Sequence, residues 1–69
     1  MPLTLAPIGT PSVISKITGK DDVRQHLAEL GFVAGQEVTV VSSLNGNLII
    51  NVKGSRIALD ETMARRVML

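Results

Sequence analysis

Asn45-Gly46 lies between two runs of alternating apolar residues, and this arrangement constrains the chain more than any other feature in it. Both residues tolerate a positive φ, which a two-residue hairpin turn of matching twist requires. Upstream, Glu37-Val38-Thr39-Val40-Val41 puts Val38 and Val40 on one side and Glu37, Thr39 and Val41 on the other. Downstream, Asn47 to Lys53 returns with Leu48, Ile50 and Val52 facing together. Gly54-Ser55 marks a second tight turn, and Arg56-Ile57-Ala58-Leu59 a further strand with Ile57 and Leu59 inward. Three strands joined by two tight turns form a meander. A small meander leaves open edges unless it curls into a barrel.

The flanking segments supply the remaining walls. Ser12 to Thr18 is rich in β-branched residues and reads as a strand. Its inward candidates Ile14 and Ile17 break strict alternation, and a β-bulge is one way to keep both inside. Gly19-Lys20-Asp21-Asp22 stops that strand and opens a helix over about residues 22 to 30. Asp21 and Asp22 suit its free N–H groups and the positive end of its dipole. Val23, Leu27 and Leu30 fall on one helical face, and Gly31 follows where a left-handed terminator is wanted. All three prolines lie in the first 11 residues, a turn-rich lead-in. Asp60 caps a short helical turn running to about Arg65, with Met63 packing down. The apolar end Val67-Met68-Leu69 is expected to be tied into a sheet. The expected fold is mainly β: a small SH3-like barrel of about five strands with one inserted helix, a single domain over residues 1–69.

Composition narrows the chemistry. With 69 residues, the chain buries only about 60% of its unfolded surface, which leaves little room for a deep cavity. There is no cysteine, so disulfides, thiolate zinc sites and thiol nucleophiles are all absent. The formal net charge of +1 is weak for a nucleic-acid protein, and the cations are scattered apart from Arg65-Arg66, which reads as a solvated helix end. Phe32 is the only aromatic ring among Phe, Tyr and Trp, so no base-stacking platform exists and no nucleic acid is expected. No apolar run approaches the ~18 residues of a membrane span. The chain is read as cytoplasmic, meeting a membrane only through a partner.

The segment from Arg24 to Gly35 resembles the signature of the ferrous iron transport protein A (FeoA) family. Leu27, Leu30, Gly31, Phe32 and Gly35 match its Leu-x-x-Leu-Gly-apolar-…-Gly pattern. The later meander, Gly54, the Ile57-Ala58-Leu59 strand and Ala64 continue the resemblance, which spans about Leu5 to Met68. Ala34 stands where the family usually has proline, and Asp60 follows Ala58-Leu59 where many relatives have a basic residue. The resemblance implies an SH3-like fold and a role in bacterial ferrous iron uptake. The implied partner is the membrane transporter FeoB, through its cytosolic G domain. The same fold is expected in the C-terminal domain of iron-dependent repressors, which makes a metal-sensing or metal-carrying module the alternative, alongside a small-barrel nucleic-acid binder.

Candidate functional residues follow. An enzyme is not expected: the one histidine, His26, has carboxylates near it but no glycine-flanked serine. No cofactor is required. Asp22, His26 and Glu29 fall at i, i+4 and i+7, a stripe whose nitrogen and oxygen donors suit a weakly held Fe²⁺ or Zn²⁺. The same stripe is also the ordinary polar flank of an amphipathic helix. For protein contact, the outward residues Val41, Ile49 and Ala58 are apolar enough to form a patch, Arg24 can reach an acidic partner, and a barrel edge can accept a strand. A homo-oligomer would use the same surface.

Overall fold

The computed structural model describes all 69 residues. Six strands and two helices follow in order: β1 (Pro11–Val13), β2 (Lys16–Ile17), α1 (Asp21–Glu29), β3 (Glu37–Leu44), β4 (Asn47–Val52), β5 (Ser55–Leu59), α2 (Glu61–Ala64) and β6 (Val67–Met68). They are preceded by a 3-10 turn over Leu3–Leu5. The long antiparallel sheet runs β1-β3-β4-β5, and a short one pairs β2 with β6.

The meander forms because both of its turns are two residues long with positive φ throughout. Asn45 and Gly46 stand at +53° and +83°, Lys53 and Gly54 at +52° and +78°. Leu44 pairs with Asn47 across the first turn and Val52 with Ser55 across the second. The second turn is therefore Lys53-Gly54, one residue earlier than Gly54-Ser55, and Ser55 already belongs to β5. Lysine at a positive φ is uncommon, and the two-residue register imposes it.

The expected strand from Ser12 to Thr18 is two strands in different sheets. Pro11 to Val13 pairs with Thr39 to Glu37, and Lys16 and Ile17 pair with Met68 and Val67. At the switch, the Ile14 N–H donates to the Gln36 carbonyl (3.0 Å), its own carbonyl accepts from Gly35 (2.8 Å), and the Ser15 N–H turns to Met68 (2.8 Å). Changing sheets lets Ile14 and Ile17 both point inward without a bulge. A bulge does occur, in β3, where the register shifts between Val40 and Ser42. It flips the alternation, so Ser42 and Leu44 fall outside although Val38 and Val40 are buried.

Twelve apolar side chains form one core: Leu3, Ile14, Leu27, Phe32, Val38, Val40, Leu48, Ile50, Val52, Leu59, Ala64 and Val67. No polar or charged residue is buried with them. Helix α1 closes one end of the roll. Its end is a Schellman arrangement: Gly31 N–H donates to Ala28 (3.0 Å) and Phe32 N–H to Leu27 (2.9 Å). Phe32 and Leu27, joined by that bond, are both fully buried. At the other helix, the Asp60 carboxylate accepts from the Met63 N–H at 2.8 Å and caps α2.

Candidate interaction surface

No cleft or pocket opens on this surface.

On the long sheet, Ile49 stands opposite Ser42 on one side and Ala58 on the other, so Ile49 and Ala58 share the outward face. Val41 is the residue displaced by the bulge beside them. Ala58 is exposed, whereas Val41 and Ile49 are half-buried. The proline-rich lead-in runs along this margin, tied by the Gly9 N–H to the Val40 carbonyl at 2.8 Å. The apolar outward residues are thus adjacent, and partly sheltered. Arg24 lies elsewhere, on α1, where its guanidinium pairs with the Asp21 carboxylate one turn back.

Asp22, His26 and Glu29 are all exposed along α1. Asp22 accepts from the Val23 N–H at 2.9 Å, supporting the helix start. Nowhere does the structure gather three or more His, Asp or Glu side chains within reach of one metal ion.

Charge has a pattern that linear reading missed. In the β2–β6 ribbon, Ile17 and Val67 turn toward the core. Alternation then puts Lys16 and Met68 on the opposite face, and Thr18 and Arg66 with them. Thr18 is held there by its N–H (2.7 Å) and its hydroxyl (3.2 Å), both donating to the Arg66 carbonyl. Gly19, at φ +108°, follows, and a Cβ there would come within 3.4 Å of Arg66 Cδ and 3.6 Å of a Val23 methyl. The Arg66 stem therefore lies across Gly19, beside the backbone that leads to Lys20. Only Arg24 and Arg65 form ion pairs, with Asp21 and Glu61. Lys16, Lys20, Lys53, Arg56 and Arg66 form none. The signal available in the sequence was the pairing of the two ends of the chain, which a list of scattered cations does not reveal.

A small antiparallel roll around an aliphatic core defines an SH3-like module. The FeoA domain family matches this chain over residues 1–69. A Methanocaldococcus jannaschii protein with the provisional name Fe(2+) transport protein A is 32% identical over 68 residues, covering 99% of this chain and 83% of that protein. A crystal structure of an iron uptake regulatory protein, FeoA, superposes with a TM-score of 0.89 at 31% identity, covering 97% of this chain and 91% of the other. The zinc-complexed FeoA of Stenotrophomonas maltophilia superposes at 0.84 with 32% identity, covering 99% and 87%. That protein is described as a prokaryotic SH3 domain protein proposed to activate ferrous iron transport. The chain belongs to the FeoA family. Its fold is SH3-like. No helix is long and apolar enough to cross a membrane.

Proposed function

We propose that this protein is a cytoplasmic accessory of ferrous iron uptake that acts by binding the cytosolic G domain of a FeoB-type transporter. The supporting observation is the match to the FeoA domain over residues 1–69. The physical form agrees with it. A roll that encloses no pocket and buries no polar group has adhesion as its available chemistry. Ile49, Ala58 and Val41 supply an apolar strip for such a contact, with Arg24 as a charged outlier on α1. The test is a binding measurement between the purified chain and the purified G domain. Saturable binding supports the proposal, and no binding at micromolar concentrations of both removes it.

A second reading concerns metal. The Stenotrophomonas relative carries zinc, and the Asp22–His26–Glu29 stripe offers suitable donors here. Because the side chains are not gathered in the structure, such an ion would be held weakly and would not be required for folding. Anaerobic calorimetry with Fe²⁺ or Zn²⁺ is expected to give weak heat that His26→Ala abolishes. Absence of heat at millimolar metal ends this reading.

A further inference from the structure

Strand β5 ends the long sheet and pairs with β4 alone. The Lys53-Gly54 turn decides which of its backbone groups are used. In a two-residue hairpin the residues flanking the turn exchange both of their N–H···O bonds, and bonded pairs then alternate along the ladder. Val52 and Ser55 are that flanking pair, so Ser55, Ile57 and Leu59 turn their N–H and C=O toward β4. Arg56 and Ala58 turn theirs away from the sheet, and none of these groups has a hydrogen-bond partner elsewhere in the chain. The other strand margins are short, blunted or occupied. β1 is three residues long and starts at a proline, and β2 has two residues. The part of β3 beyond β1 carries the bulge and is tied at Val40 to Gly9. β6 is paired with β2 and bridged to Pro2. β5 runs for five residues with neither proline nor bulge.

We infer that β5 is the strand through which two copies of this chain pair, antiparallel about a twofold axis at Ile57, so that their long sheets join. The occupant follows from the edge itself, which is complementary to its own copy. With Ile57 opposite the partner's Ile57, Arg56 faces the partner's Ala58 and Ala58 faces the partner's Arg56. Those are the bonded positions of the joint, so every free N–H and C=O of both edges finds a partner. No like charges meet, because the Arg56 stem crosses the partner's Ala58, a side chain too small to obstruct it. Half-buried Ile57 sits at the non-bonded position, where facing side chains approach most closely. The register has no equal. Moving the axis to Arg56 sets arginine on arginine; moving it to Ala58 brings in Asp60, whose carbonyl already accepts from the Ala64 N–H at 2.9 Å. A foreign strand could meet the same backbone groups but has none of this self-complementarity. The inference goes beyond the transporter reading and does not depend on it.

The experiment is sedimentation equilibrium of the purified chain from about 20 µM to about 1 mM, because one strand pair makes a small interface and a weak, concentration-dependent dimer. The average mass is expected to rise from that of a monomer toward that of a dimer. Arg56→Pro is measured beside it. The Arg56 N–H faces away from β4, so proline there removes a bond of the joint and none of the sheet. That variant is expected to stay folded by circular dichroism and to dimerise at least about tenfold more weakly. Arg56→Gln, which keeps the N–H, should dimerise as the unaltered chain does. If the proline variant does not fold, amide exchange of the unaltered chain decides: the Arg56 and Ala58 N–H groups should exchange several times more slowly at the higher concentration. A chain that stays monomeric throughout overturns the inference. So does a dimer that Arg56→Pro leaves intact, or one in which the Arg56 and Ala58 amides gain no protection.

Discussion

Gly31 stands at φ +103°, and a Cβ there would meet the Val52 methyls at 3.6 and 3.9 Å and Lys53 Cδ at 4.0 Å. The space is adequate, so a substitution is penalised by backbone conformation and not by collision. Gly31→Ala is expected to lower stability by about 1–2 kcal/mol, read from urea denaturation; an unchanged midpoint would contradict the left-handed geometry. Phe32, next in the chain, is the largest of the fully buried side chains and packs at the same helix end. Truncating such a residue costs about 3–5 kcal/mol, and a domain of this size has little more to lose. Phe32→Ala should therefore be largely unfolded at room temperature by circular dichroism, while Phe32→Leu remains folded. Both roles were legible in the sequence, because Leu27-x-x-Leu30-Gly31-Phe32 encodes a helix end locally. The bonds that define it all lie within five residues.

At the scale of elements, what was legible depended on how far apart the bonded residues lie. The Asn45-Gly46 hairpin, the β3–β4–β5 strand order and the α2 cap are settled by near neighbours and appear as expected, with the second turn one residue earlier, at Lys53-Gly54. The switch at Ile14-Ser15 is settled by Gln36 and Met68, whose partnership with Ile14 and Ser15 no local pattern records. The bulge at Val41 was hidden for a different reason: β-branched Val40-Val41 suits a strand in either register. Its effect should be measurable. Val41→Ala removes only part of a half-buried side chain, and deleting Val41 removes the bulge while leaving Ser42 opposite Ile49. The deletion variant is therefore expected to fold, with a cost in chemical denaturation comparable to that of the alanine variant. Loss of folding in the deletion variant alone would mean that the bulge itself holds the sheet. At α2, Asp60→Ala loses the bond to Met63 N–H and should lower stability by about 0.5–2 kcal/mol. Asp60→Asn or Asp60→Ser should restore most of it.

At the scale of the molecule, an all-apolar core leaves every polar and charged side chain on the exterior. The apolar strip at Ile49 and Ala58 was legible from strand alternation. The placement of Lys16 and Arg66 on one face of the β2–β6 ribbon was not, because it exists only once the start and the end of the chain pair. The central claim is that this exterior supports ferrous iron entry by contact with the transport system. The most direct test is the rate of anaerobic Fe²⁺ uptake by cells lacking the protein, with the gene restored in unaltered form or carrying Ala58→Glu on the exposed strip. The account predicts slowed uptake without the protein, full recovery with the unaltered chain, and poor recovery with the folded Ala58→Glu chain. Uptake that is indifferent to loss of the protein would contradict it.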